Sequence, residues 1–241
     1  MKKLSKLFAM LMVLLMALLL NPLFADEPLL STQTYNYGEY CVTSDNLELI
    51  PLDFDETIIL FSIFKNGTLY QDVTFSQIIK NKKNLESTVS HYKWGTIIGI
   101  NTNGILLNTV EGKKIFDFET QKVRQVNINN DIYIVEDELK ILTKQKGYEY
   151  LNALFDYMFA LDEQECNEIL NKWEKYKVQI ASFNKNGKEY IYFNFLGGGI
   201  LTKKFLESGL IQVCDGGNAF WSICYNLKEK KFYNLSINGE A

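Results

Sequence analysis

Apolar positions follow different rhythms along the chain, and each rhythm predicts a different element. Residues 57–65 (TIILFSIFK) form a continuous β-branched apolar run, the pattern of a buried strand. Asn66-Gly67 is a turn dipeptide, and 68–73 can return from it as a second hairpin arm. Residues 26–55 are mixed and polar and read as extended chain. A short helix is expected over 76–85, with Ser76 as its N-cap. Between 95 and 143, short apolar runs at 96–101, 105–110, 114–118, 126–128 and 132–135 alternate with turns rich in Asn and Gly. That alternation is the signature of a β-meander.

The period then lengthens. Leu151, Leu154, Phe155, Met158 and Leu161 fall at helical spacing. The DEQE at 162–165 reads as a capping box with Asp162 as the cap. It opens a second helix, whose stripe is Cys166, Ile169, Leu170 and Trp173. Alternation returns at 178–183 and 189–196, which flank the hairpin loop Asn184-Lys185-Asn186-Gly187.

Pairing 219–225 with 231–237 around Lys228 sets Trp221 opposite Leu235 and Ile223 opposite Tyr233 on one apolar face, which also takes Tyr225. Phe220, Cys224 and Phe232 fall on the other face. A preceding hairpin centred on Gly217 sets Val213 against Trp221 and Ile211 against Ile223. The two registers agree on the apolar face and predict a three-stranded meander. The expected fold class is therefore α+β: a β-rich N-terminal meander followed by a helical pair packed on a C-terminal antiparallel sheet. The expected divisions are 1–25, 26–146 and 147–241.

Residues 1–25 have the anatomy of a secretory signal peptide. Lys2, Lys3 and Lys6 precede an uncharged run from Leu7 to Leu20, and Asn21-Pro22 breaks any helix before Leu23-Phe24-Ala25. The run is shorter than the roughly 20 apolar residues that span a bilayer, so cleavage is expected rather than a membrane anchor. The expected location is the periplasm or the exterior of a bacterial cell. Cleavage changes the charge. The whole chain of 241 residues has 25 basic and 29 acidic residues; losing three Lys leaves 22 against 29, a net of −7. Arg124 is the single arginine. An acidic chain without arginine clusters excludes nucleic acid as the expected partner.

The composition of 47% hydrophobic and 14% aromatic residues excludes a disordered chain. Four cysteines, Cys41, Cys166, Cys214 and Cys224, are too few for a disulfide scaffold, yet an exported chain could pair some of them. In the register above, Cys214 and Cys224 lie four residues apart along the ladder, roughly 13 Å, beyond disulfide reach. Cys166 sits on a helix stripe and reads as a small core hydrophobe. There is no CxxC, HExxH, GxSxG or P-loop, and His91 is the single histidine. It reads as a loop or surface residue rather than a general base. Gly197-Gly198-Gly199 lacks the spacing of a phosphate cradle and reads as a turn leaving a strand. Asp215-Gly216-Gly217-Asn218 has one carboxylate and reads as a turn rather than a cation site.

These absences point away from catalysis. No catalytic, metal or cofactor-binding residue is expected, and no cofactor. The aromatic C-terminal strands supply a candidate binding surface at Tyr190, Tyr192, Phe220 and Phe232, of which Phe220 and Phe232 fall on the face turned away from the presumed core. The leading expectation is an exported, non-enzymatic binding protein with a protein or glycan partner and no membrane span after cleavage. A secreted hydrolase with dispersed carboxylates, and a periplasmic inhibitor or immunity-type protein, are the alternatives.

Overall fold

The computed structural model describes residues 32–44, 48–199 and 201–239. The expected signal segment, 1–25, lies outside the described residues. Strands β1 (Gln33–Tyr37), β2 (Tyr40–Ser44), β3 (Leu49–Pro51), β4 (Ile59–Lys65) and β5 (Thr68–Thr74) open the fold. The first sheet runs β1-β2-β4-β5, all antiparallel. Asn66 and Gly67 both take positive φ at the β4–β5 turn, as the dipeptide predicts. Helix α1 (Phe75–Ile78) is a single turn. It is shorter than expected and capped by Thr74, not Ser76: the Thr74 N–H donates to Gln77 Oε1 at 2.7 Å. A small sheet, β3-β7-β6, uses β6 (Glu86–Ser87) and β7 (His91–Lys93).

The central meander consists of β8 (Gly95–Asn101), β9 (Gly104–Thr109), β10 (Gly112–Phe116) and β11 (Val123–Gln125), in the order β11-β10-β9-β8. Both of its faces are covered, which explains why β9 reads as a nearly continuous apolar run. Ile105 and Leu107 join the N-terminal core with Val42, Phe61, Ile63 and Trp94. Leu106 and Ile115 turn the other way and pack with the helices. Lys114 is 1% exposed in this sheet. Its ammonium meets Glu111 Oε2 at 2.5 Å and donates to the Ile78 carbonyl. Burial alone pushes the Glu111 carboxyl up, but donors from Lys114 and the Lys80 and Asn81 N–H groups outweigh it and hold it at about 2.

The expected last strand of the meander does something else. β12 (Ile132–Asp137) leaves that sheet and pairs in parallel with β13 (Tyr176–Lys185), with Ile132 beside Val178 and Ile134 beside Ile180. A parallel pair needs a crossover, and the helical pair supplies it. Helix α2 (Lys144–Leu161) buries Leu151, Leu154, Phe155 and Met158, and α3 (Gln164–Asn171) buries Cys166, Ile169 and Leu170. Trp173 follows in a short 3-10 turn. The expected stripes are therefore the buried ones, apart from the half-buried Leu161, but Asp162 is not the cap of α3. It takes a left-handed conformation (φ 52°) at the C-terminus of α2, and Glu163 holds the N-cap position. The Asp162 carboxylate instead accepts Thr102 Oγ1 at 2.6 Å and Asn167 Nδ2 at 3.0 Å, tying the β8–β9 turn to the helix junction. Asn101 Nδ2, donating to the Phe159 carbonyl at 2.9 Å, reinforces that joint.

The C-terminal sheet runs β12-β13-β14-β15-β16, with β14 (Lys188–Gly197), β15 (Phe220–Asn226) and β16 (Lys231–Ile237). Every pairing after the first is antiparallel. The β13–β14 turn is Asn186-Gly187, both at positive φ. The three-stranded C-terminal meander exists, but its members are β14, β15 and β16. The expected partner of β15, residues 211–213, is not a strand. β14 takes that place, with Phe195 beside Trp221 and Phe193 beside Ile223. The reason is apolar area: β14 offers Ile191, Phe193 and Phe195 on one face, all fully buried. The Phe195 and Trp221 rings stack at 3.6 Å and 6°.

Candidate binding surface

The C-terminal sheet has two faces of opposite character. Val178, Ile180, Ile191, Phe193, Phe195, Trp221 and Ile223 face the helices. Because side chains alternate, the intervening residues share the outer face. Its rungs, read across the strands, are Gln179-Asn194-Ser222, then Ala181-Tyr192-Cys224-Tyr233, then Phe183-Tyr190-Asn226.

One end of this face is covered. The segment between β14 and β15 folds back across the sheet, carrying the short helix α4 (Lys203–Leu206). Gln179 is fully buried and uses both ends of its amide to hold this strap. Its Nε2 donates to the Leu206 and Gly209 carbonyls at 2.8 and 2.9 Å. Its Oε1 accepts the Ile211 N–H at 2.9 Å and Asn194 Nδ2 at 3.0 Å. Asn194 Nδ2 also donates to the Ile211 carbonyl at 2.8 Å. The amide of Gln179 is thereby saturated, two donors and two acceptor positions. Further along, Gly216 (φ 102°) lets the backbone lie against the Phe220 ring, where a Cβ would stand 2.7 Å from ring carbon.

The other end is open, and it forms a slot of about 430 Å³. Cys224 and Asn226, on the middle strand β15, are its floor. Tyr190 on β14 and Tyr233 on β16 flank the floor, and Phe183 stacks behind Tyr190 at 5.5 Å and 21°. Lys185, Asn186 and Lys188 from one hairpin and Glu229 from the next form the rim. The β15–β16 loop is built by Asn226, whose Oδ1 accepts the Lys228 and Glu229 N–H groups at 3.0 and 2.9 Å. That fixes Glu229 where its carboxylate accepts Tyr233 Oη and meets Lys188 Nζ at 3.2 Å. Hydrogen bonds from Tyr233 and Lys188 hold the Glu229 carboxyl below its ordinary range, and the bond to Glu229 raises the Tyr233 hydroxyl. Burial pushes the Cys224 thiol up, with the nearby Lys185 ammonium opposing it. The floor sulfur is therefore a protonated thiol, a poor nucleophile.

Of the residues expected at a binding surface, the structure brings three to this outer face. Tyr190 flanks the slot, Tyr192 lies half-buried one rung further in, and Phe220 sits at the strapped end. Phe232 does not join them. It faces the helices, 5.1 Å from the Tyr157 ring and 4.8 Å from Tyr225. Tyr233, expected in the core, takes the outer position. The cause is the loop length: Asn226 pairs with Lys231 across four residues, and Lys230 takes positive φ. An odd loop was expected there; an even one exchanges the two faces of β16 near the turn. The Asx-turn potential of Asn226 was the signal for the longer loop.

The remaining candidates lie elsewhere. His91 is in β7, with Nδ1 2.8 Å from Ser90 Oγ. All four cysteines are free thiols: Cys166 is buried, Cys41 and Cys224 are half-buried, and Cys214 is exposed. Gly198 and Gly199 take positive φ at the start of the strap, and Gly217–Ala219 form a 3-10 turn rather than a hairpin tip. A larger, acidic cleft of about 940 Å³ lies between the start of α3 and β16, lined in part by Glu163, Glu165 and Glu168. Glu168 is engaged by Asn218 Nδ2 at 2.8 Å. Among the described residues no Asp or Glu is fully buried, and no cluster of three or more His, Cys, Asp or Glu side chains could hold a metal. None of the described helices is long and apolar enough to cross a membrane. No protein-family model, curated protein or solved structure shows significant similarity to the chain.

Proposed function

We propose that this is an exported bacterial binding protein without catalytic activity, and that its recognition surface is the open end of the outer sheet face. The observation that carries the reading is the slot itself. Two tyrosines are held on alternate strands over a floor that includes the half-buried Cys224 thiol, and two hairpins supply a polar rim. Tyrosine flanks and mixed polar rims suit recognition, because an aromatic ring offers a large contact at low entropy cost. A hydrolase working through dispersed carboxylates needs two of them set against each other in a cleft. Glu111 and Asp156 are instead spent on ion pairs with the buried Lys114 and Lys113, and in the acidic cleft Glu168 is engaged by Asn218. Export rests on the pattern of residues 1–25.

The test is retention. The chain from residue 26, tagged at its C-terminus, is incubated with envelope and culture-fluid fractions beside a Tyr190→Ala, Tyr233→Ala variant. A partner held by the first and lost by the second is the expected result. Turnover of a glycan or peptide library by a chain that retains no partner would overturn the reading.

A further inference from the structure

The two hairpin tips that frame the slot differ in charge from the rest of the molecule. The chain as a whole is acidic, with a net of −4. At this end Lys185, Lys188, Lys228, Lys230 and Lys231 stand against Glu189, Glu229 and Glu138, whose carboxylate accepts the Asn184 N–H at 3.2 Å, a local excess of two positive charges. The two tips are fastened side by side: the Leu227 N–H donates to the Glu189 carbonyl at 3.1 Å, and Lys188 bridges to Glu229. The charge is also directed. Glu229 neutralises Lys188, whereas Lys185 forms no ion pair among the described residues and its ammonium acts on the Cys224 thiol at the slot floor. An anion in the slot would meet that uncompensated ammonium.

Width narrows the ligand further. Tyr190 and Tyr233 sit on strands separated by one strand and one rung apart along them, diagonally across the slot and roughly 12 Å backbone to backbone. That diagonal gap is wider than a flat aromatic group fills and admits a puckered sugar ring. Asn186 and Glu229 place amide and carboxylate groups at its rim, the donors and acceptors that hydroxyl groups require. The cavity of about 430 Å³ lies in the small-ligand range of roughly 300–1,000 Å³.

We infer that the slot binds an acidic saccharide: a pyranose ring lodged between Tyr190 and Tyr233, with its carboxylate or phosphate drawn to Lys185. The inference rests on the binding reading above and adds the ligand class. The experiment is calorimetric titration of the chain from residue 26 with four probes. These are a galacturonate trimer, a neutral galactose trimer, an oligoglutamate peptide and phosphatidylglycerol vesicles.

The galacturonate trimer is expected to bind at least about tenfold more tightly than the neutral trimer, with affinity falling as salt rises. Tyr190→Ala and Tyr233→Ala should each weaken it about tenfold or more. Lys185→Gln should weaken it about threefold, and Lys185→Arg should restore it. Equal affinity for the neutral trimer would overturn the anionic part. Binding of the peptide or the vesicles without either trimer would overturn the saccharide. If no probe binds while an envelope partner is still retained through the two tyrosines, this inference falls and the binding reading stands. Unchanged thermal unfolding of the variants separates lost contacts from lost fold.

Discussion

The two ends of the outer sheet face are made from the same strands, yet one is sealed and the other open. At the sealed end the polar side chains Gln179 and Asn194 point into the face and hold the strap by its backbone. At the open end the equivalent positions are Phe183, Tyr190, Tyr192 and Cys224, and the one amide on these rungs, Asn226, is committed to its own loop through the Lys228 and Glu229 N–H groups. A crossing chain must satisfy its N–H and C=O groups, so it lies where amides receive it and avoids the aromatic end. Cover is decided here by hydrogen-bonding capacity, since apolar area is plentiful at the uncovered end.

Several changes would break or sharpen this contrast. The largest effect is expected from Gln179→Leu, which leaves three backbone groups of the strap without their partner. The loss should be about 3–5 kcal/mol by chemical denaturation, with faster protease cleavage inside 201–216. A loss below about 1 kcal/mol would show that the amide is not what holds the strap. Phe220→Ala should cost about 2 kcal/mol, since the ring is half-buried and underpins Gly216. At the open end, Tyr190→Ala and Tyr233→Ala should each cost under about 1 kcal/mol in the same denaturation, while partner retention is lost.

The two ends should also differ in their response to acid. The strap is held by amides, which do not titrate. The hairpin tips are linked through Glu229, whose carboxyl lies below its ordinary value in the fold. Its stabilising link is present above the unfolded value and is lost as pH falls through the folded one. Between pH 6 and pH 3, amide protection factors, corrected for the intrinsic slowing of exchange in acid, should therefore fall at Leu227–Lys231 before they fall in the strap. Simultaneous loosening would contradict the assignment. Thiol alkylation gives the smallest and simplest reading. Cys214, exposed on the strap, should react first. Cys224, with its raised thiol, should lag, and Cys166, pushed up to about 11 mainly by burial, should react only on unfolding.

Much of this arrangement was legible in the residue order. The Asn66-Gly67 and Asn186-Gly187 turns and both helix stripes follow from local chemistry, and they fall where the pattern places them. Pairings between distant segments did not. A local hairpin through Gly217 satisfied the alternation of β15 as well as β14 did, and periodicity alone does not rank two partners of equal parity. The site was legible in part for the same reason. Tyr190 and Tyr192 lie in a strand whose register is set by a two-residue turn. Phe232 and Tyr233 follow a loop without glycine, and one extra residue there exchanged them between core and surface.

β12 runs parallel to β13, and 38 residues separate the end of one from the start of the other. A chain delivered N-terminus first exposes Ile132 and Ile134 long before their partner strand arrives. The C-terminal sheet therefore cannot grow strand by strand as it emerges; it closes when the crossover helices and β13 are both in place. Such long-range closure slows folding and leaves an unpaired edge exposed meanwhile. During delivery, a stall before residue 185 leaves that edge without its partner strand.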